Sequence, residues 1–486
     1  MTSLRITLEL HQERCLSPRD DELHAILTVT ARRDAAEPSA TASPAADPGP
    51  PGLAEVIVID CSGSMADPPT KIAAARRATA AALDALPDGA RFAVVEGTHQ
   101  ARMVYPVTGE LAVATPQTRA QARSAVAGVT AAGGTAFGAW LLRARDLLAA
   151  HPSAVRHALL LTDGRNEHET AAHLDEVLAQ CAGRFVCDAR GVGDGWQPSE
   201  LMRIASALRG TADAVRAPEE LTADFRRVVG AATAKILPEL RLRIGTVAPA
   251  RLRFCKQVHP TAADLPGPPP GPDAHVTEVS IGAWGEESRD YHLCFEVDSG
   301  GRPRWEDLRV ARVDVVVDGR PRADPAVVLV HWTDDPVASS RIHPAVAHYT
   351  AQEQLGQAVV DGCDAHDRGD HAAAVRHWGE AVRLATESGN ARVLERLQAM
   401  VEVVDAAAGV VRLRPNLSRV DRLLAETRSS HTVLPAQRGG AQPQRAPEVA
   451  ADPGAAGQRC GRCGASAAPA HRFCMRCGGP LGDRAA

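Results

Sequence analysis

Asp60-Cys61-Ser62-Gly63-Ser64 places one carboxylate and two hydroxyls at i, i+2 and i+4. The run LAEVIVID (53–60) reads as a strand, so these oxygens sit where a strand gives way to a tight turn. Side chains so spaced can aim at one point. A few hard oxygens plus waters suit Mg²⁺, which keeps several waters in octahedral geometry. The same pentapeptide also fits an Asp N-cap with two turn serines. Two further groups bear on the choice. Gly133-Gly134-Thr135 puts a hydroxyl at the start of a helical run, and Asp163-Gly164 puts a second carboxylate at the end of the apolar run HALLLTD. Ligands of parallel sheets gather at such strand ends.

A second constellation lies near the C-terminus. Cys460-Gly461-Arg462-Cys463 and Cys474-Met475-Arg476-Cys477 are two C-x₂-C pairs, each followed by glycine and separated by ten residues. Four thiolates in this pattern form a closed tetrahedral site for one structural Zn²⁺. So short a segment cannot bury a core, so the metal must supply most of its folding energy. His471 is surplus to four ligands. The other seven cysteines show no regular spacing, which fits a reduced chain better than a disulfide framework.

The elements that must position these residues can be read from apolar patterning. LAEVIVID, RFAVVEG, VRHALLLTD and RFVCDARGVG alternate with helical stretches such as KIAAARRATAAALDAL and PSELMRIASAL. That alternation predicts a doubly wound α/β unit over 53–235, a parallel sheet covered on both faces. Over 236–335, RLRIGTVAP, HVTEVSIGAW, DYHLCFEVD, RVARVDVVVDG and AVVLVHWTD predict a β-sandwich-like domain. The strands of 1–33 are too few to stand alone and are expected to join it, leaving the α/β unit as an insertion. Residues 336–425 read as helical, with a hairpin of the tetratricopeptide kind formed by GDHAAAVRHWGEAVRLATESGN and ARVLERLQAMVEVVDAAAG. Pro/Gly/Ala-rich 34–52 and 263–274 read as surface loops, and 426–457 as a flexible linker to a ribbon over 458–480.

The order Asp-x-Ser-x-Ser, Gly-Gly-Thr, Leu-Leu-Thr-Asp-Gly over 53–235 resembles the von Willebrand factor type A (VWA) domain with an intact metal-ion-dependent adhesion site. The resemblance implies that Ser62 and Ser64 bind the metal directly and that Asp60 and Asp163 reach it mainly through water. It gives Thr135 a direct or water-mediated contact, depending on conformational state. It also implies that a protein partner fills the open coordination position with a carboxylate. The ion implied is Mg²⁺, with Mn²⁺ or Ca²⁺ as substitutes. Cys61, at the motif's variable position, reads as a packing residue.

Other chemistries fail on spacing or charge. His168-Glu169 and His173 are one residue too far apart for a zincin helix, and no P-loop or nucleophile elbow is present. Lys+Arg 54 against Asp+Glu 59 gives a net charge of -5, so no basic field points to nucleic acid or anionic membrane. Only Lys71, Lys235 and Lys256 are lysines. Around the ribbon, five arginines are offset by Asp483, by the -2 of a Zn²⁺ with four thiolates and by the terminal carboxylate to about +1, which makes nucleic-acid binding there an unfavoured alternative. No apolar stretch approaches the ~18 residues of a membrane span, and the first residues lack a secretory h-region.

These readings converge on a cytoplasmic, non-enzymatic, Mg²⁺-dependent adaptor. Similar bacterial proteins imply Ser/Thr kinase or phosphatase partners in signalling or stress response. A metal-dependent hydrolase at Asp60/Asp163 is the runner-up, but it lacks a general base at recognisable spacing. Thr427–Val433, at the edge of the linker, reads as an exposed stretch whose hydroxyls, Thr432 first, are candidates for phosphorylation.

Overall fold

The computed structural model describes residues 4–33, 52–265, 275–434, 458–459 and 466–467. Strands β1 (Leu4–Gln12) and β2 (Glu22–Arg33) pair antiparallel, Leu10 opposite Leu27. The chain then enters an α/β unit built from β3 (Leu53–Asp60), α1 (Thr70–Ala85), β4 (Arg91–Gly97), β5 (Ala101–Tyr105), α2 (Pro116–Ala127) and α3 (Phe137–Ala149). It continues through β6 (Val155–Thr162), α4 (Ala171–Cys181), β7 (Val186–Val192), α5 (Pro198–Ala207), β8 (Ala212–Val215) and α6 (Leu221–Thr233). The sheet order is β8-β7-β6-β3-β4-β5, parallel except for β5, with a short strand Ala112–Val113 beside β4.

Every residue of β3 is buried, because helices cover both faces of the sheet. Alternation along the strand divides its side chains between two cores. Val56 and Val58 pack with Trp140 of α3, Val177 of α4 and Ile204 of α5. Ile57 and Ile59 pack with Ala78 of α1 and Phe225 of α6. A fully buried aliphatic side chain contributes about 1.5–3 kcal/mol, so this double burial makes β3 a rigid base for the turn that follows it.

Strands β9 (Leu237–Thr246), β10 (Arg251–His259), β11 (Val276–Trp284), β12 (Glu287–Glu296), β13 (Asp307–Val317) and β14 (Ala326–Trp332) complete two further sheets. One runs β1-β2-β12-β10 and ends on Ala263–Asp264; the other runs β11-β9-β13-β14 and ends on Cys15–Leu16. Thus β2, before the α/β unit, pairs with β12, after it, Leu27 opposite Tyr291. Leu27, Val29, Tyr291 and Phe295 of the first sheet share an apolar cluster with Leu242, Ile244, Val313 and Val315 of the second.

Helices α7 (Pro344–Asp367), α8 (His371–Glu387) and α9 (Ala391–Met400) follow, then the hairpin β15 (Val401–Asp405) and β16 (Val410–Leu413), then α10 (Arg419–Thr427). Bare Gly362 lets the Trp378 ring lie against α7: a Cβ there would be 2.4 Å from it. Three expectations are corrected. The stretch VEVVDAAAG is a strand and turn rather than the end of a helix, since a β-branched run favours the pleated surface once it has a partner. Residues 426–434 do not open a flexible linker: Thr427 is fully buried and its hydroxyl donates to Leu423 O at 2.6 Å. Thr432 is likewise not a free hydroxyl, since it donates to Val258 O at 2.6 Å while its N–H donates to Pro260 O at 3.0 Å. Among the described residues, no helix is long and apolar enough to cross a membrane.

Candidate metal centre

The turn after β3 is fixed by backbone hydrogen bonds before any side chain is considered. Cys61 N–H donates to Gly97 O at 2.7 Å, Gly63 N–H to Gly133 O at 2.9 Å, and Ala132 N–H to Cys61 O at 2.7 Å. His168 N–H donates to Thr135 O at 3.1 Å, so three loops from distant parts of the sequence form one cross-linked rim. Gly133 has φ 97°, which favours glycine, and a Cβ on Gly134 would overlap the His168 ring.

On this rim the expected residues come together. Asp60, Ser62, Thr135 and Asp163 are all buried. Ser62 Oγ and Ser64 Oγ are 3.0 Å apart, and Ser64 Oγ donates to Asp163 Oδ1 at 2.6 Å. Asp60 Oδ1 accepts from Ser62 N–H at 2.8 Å and Oδ2 accepts from the Thr162 hydroxyl. The Asp turn and the oxygen cluster are therefore compatible readings of one pentapeptide. Thr135 closes the set from the opposite loop. A Cβ added to Gly164 would lie 3.4 Å from both Ser64 Oγ and Thr135 Oγ1 and 3.9 Å from Asp60 Oδ2. Bare Gly164 thus lies over a cradle of hard oxygens, a donor set that fits Mg²⁺. Burial raises the Asp60 carboxyl to about 6 against the lowering pull of its hydrogen bonds from Ser62 and Thr162. Cys61 is fully buried among aliphatic residues and its thiol is pushed up by that burial, as expected of a packing residue.

Three contributors had no role at this site from the sequence alone. Lys71, in the first turn of α1, donates to Asp163 Oδ2 at 2.7 Å and to Ser64 O at 3.3 Å. Its rarity among 54 basic residues was the available signal. Glu169 accepts from Gly138 N–H at 2.7 Å and Ala139 N–H at 3.0 Å, while Asn166 Oδ1 accepts from Phe137 N–H at 3.0 Å. A carboxylate at the open end of a helix is electrostatically favourable, and it ties the loop after Asp163 to α3 beside Thr135. A capping residue thirty positions away in sequence leaves no local signature.

One other group of ligand-type residues is present among the described residues. Glu22, His24 and Cys294 bring ligand atoms within 4.8 Å of one another, but Glu22 is already paired with Arg253. Cys460, Cys463, Cys474 and Cys477 lie outside the described residues; the backbone of 458–459 pairs antiparallel with 466–467.

Comparison with known proteins decides the family. The von Willebrand factor type A domain matches residues 54–214, and the von Willebrand factor type A C-terminal domain matches 383–429. A solved von Willebrand factor type A protein from Catenulispora acidiphila is 37% identical with a TM-score of 0.81, covering 89% of this chain and 98% of that one. The chain belongs to the von Willebrand factor type A family. The ArnB paralog VWA2 from Sulfolobus acidocaldarius shares the fold at 13% identity and a TM-score of 0.53, covering 88% of this chain and 98% of that one. An uncharacterized Synechocystis protein is 28% identical over 223 residues, 43% of this chain; the VWA chain spans 49% of that relative's length.

Proposed function

We propose that this VWA chain is a Mg²⁺-dependent, non-enzymatic protein-binding adaptor acting in the cytoplasm. VWA domains generally mediate protein–protein interaction. The observation that carries the metal-dependent reading is the convergence of Ser64 Oγ, Thr135 Oγ1 and Asp60 Oδ2 around Gly164, beside Asp163. Ser62, Ser64 and Thr135 would hold the ion, with Asp60 and Asp163 orienting its waters. When bound, Mg²⁺ supplies an open position for a carboxylate oxygen from a partner. Kinase or phosphatase partners in bacterial signalling belong to the same proposal, as do a Cys460/Cys463/Cys474/Cys477 zinc ribbon and a β-sandwich carrying the VWA unit as an insertion.

The chain's own residues prepare the site. Backbone bonds among the 61–64, 132–135 and 168 segments hold the oxygens before a partner arrives, which limits the entropy lost on binding. The test has two readings. Calorimetric titration with Mg²⁺ should show one site in the native chain and none in Asp60→Ala. Affinity capture from lysate should lose the same partners in Asp60→Ala and in EDTA. Unchanged capture in both would overturn the adaptor reading.

A further inference from the structure

At the other end of the VWA sheet, β6 and β7 begin over a half-open cavity of about 200 Å³. It lies between the sheet, α6 and the strands β11 and β12, and Arg156, Arg190, Arg209, Arg227, Lys235 and Arg289 line it. The distance from Arg156 to the adhesion site is the length of β6, about 20 Å at ~3.3 Å per residue.

The cations outnumber their partners. Asp224 serves both Arg190, at 2.7 Å, and Arg227. Glu287 serves both Lys235, at 2.8 Å, and Arg289, at 3.0 Å. His157 is held between Glu55 at 2.8 Å and Asp188 at 2.9 Å. Arg209 reaches only the Ser280 hydroxyl, at 2.5 Å, and Arg156 has no hydrogen-bond or ion-pair partner among the described residues. Glu239, the acid closest in influence to both, is paired with Arg241 at 3.0 Å. Setting aside Arg227, whose side chain is mostly exposed, six cations counting His157 face the carboxylates of Glu55, Asp188, Asp224 and Glu287, an excess of two charges. Arg156 and Arg209 are half-buried, and partly desolvated charge without a carboxylate partner favours an anion that completes the pairing.

Two observations specify the ligand. Arg209 has φ 57°, a left-handed conformation strained for arginine, and it directs this guanidinium into the β11 wall. Val155, Val228, Ala232 and Ala283 add aliphatic surface to the same lining. A volume of this size is below the ~300 Å³ at which drug-sized ligands begin to fit, so a small ligand suits it best. We propose that this cavity binds a small phosphomonoester, its phosphate on Arg156 and Arg209 and its short carbon portion on the aliphatic wall. Guanidinium forks match phosphate oxygens in pairs.

The test uses the full chain freed of divalent ions, with glycerol 3-phosphate and inorganic phosphate as probes. Glycerol and sodium chloride of equal ionic strength are the controls. Glycerol 3-phosphate should bind at one site by calorimetry and raise the unfolding temperature saturably, with phosphate weaker and both controls flat. Arg156→Gln has no partner to lose and should keep the native unfolding temperature while binding at least tenfold more weakly. Arg209→Gly removes the second guanidinium and relieves the backbone, so it should fold and fail to bind. No saturable binding of either phosphate, a rise reproduced by sodium chloride, or undiminished binding in both variants would overturn the proposal.

Discussion

Lys71 Nζ lies 2.7 Å from Asp163 Oδ2, and the carboxylate it contacts is fully buried. The pair sets a positive charge against the same acid that would orient the waters of a divalent ion. An ammonium there repels that ion through a partly shielded medium, and a long side chain can swing aside at a cost in pairing. Lys71→Met should therefore tighten Mg²⁺ binding by about tenfold, roughly 1.4 kcal/mol. Calorimetric titration of the purified variant checks this. Weaker binding would mean that the ammonium orients Asp163 instead of competing for it.

Thr135 comes to the site from the opposite loop and is held by the bond from His168 N–H to its carbonyl. Thr135→Ala removes one hydroxyl and leaves that backbone bond in place. Mg²⁺ affinity should fall at least tenfold, while the unfolding temperature without metal stays within about 2 °C of native, as for a substitution at a preformed rim. A large loss of metal-free stability would show that Thr135 acts structurally.

Much of this site was legible because its residues end strands that read clearly as apolar runs. The strand Leu53–Asp60 is buried on both faces, and Glu55, its one polar residue before Asp60, pairs inside with His157. Arg251–His259 was missed as a strand, because Arg251, Arg253 and Lys256 obscure its alternation; they emerge from a sheet whose other face is covered. The basic cavity at the other end of the sheet could not be read at all. Its cations come from positions as distant as 156, 209 and 289, and only the packing of three sheets brings them together.

His157 gives the fold a defined alkaline limit. Burial alone would lower its imidazolium, but the Glu55 carboxylate and the Asp188 hydrogen bond override this and raise it to about 10. A cation with a raised folded value contributes stability that is fully present below the unfolded value of about 6.5 and is lost as pH rises through the folded one. The unfolding temperature should therefore decline between about pH 7 and 10. In His157→Ala, Glu55 and Asp188 lose their shared partner, so stability at pH 7 should drop by about 3–5 kcal/mol. The alkaline decline should also flatten, and a variant as steep as the native chain over that range would refute the assignment.

Zinc and magnesium should behave as separate populations. Chain purified under reducing conditions should retain one Zn²⁺ after EDTA has removed Mg²⁺, because the four thiolates of the proposed ribbon would close a site that an oxygen rim leaves open. Elemental analysis finding no zinc would remove the ribbon. Truncation at about residue 440 should abolish the zinc and leave the unfolding of the VWA unit unchanged, since its described core ends before that point.

Truncation further back should have the opposite effect. α10 ties the C-terminal helices to the VWA unit: Leu423 and Leu424 are buried in the core that holds Trp140 and Trp196, while Ala425 enters the cluster around Trp378. Polar contacts reinforce the clasp. Arg419 Nε donates to Asp194 O at 2.7 Å, Arg216 pairs with Asp421 at 2.6 Å, and Arg428 pairs with Asp213 at 2.5 Å. Ending the chain at residue 417 uncovers both leucines' pocket and leaves Asp213 without its arginine. At about 2 kcal/mol per buried leucine, plus the lost charge pairing, the VWA unit should lose on the order of 5 kcal/mol. Denaturant unfolding of the chain ended at 417 against the chain ended at 440 measures the difference. Equal midpoints would show that α10 only rests on the VWA unit. The restoring experiment adds a peptide spanning 418–434 in trans: recovery of the midpoint with rising peptide concentration would establish that the clasp acts through its own contacts.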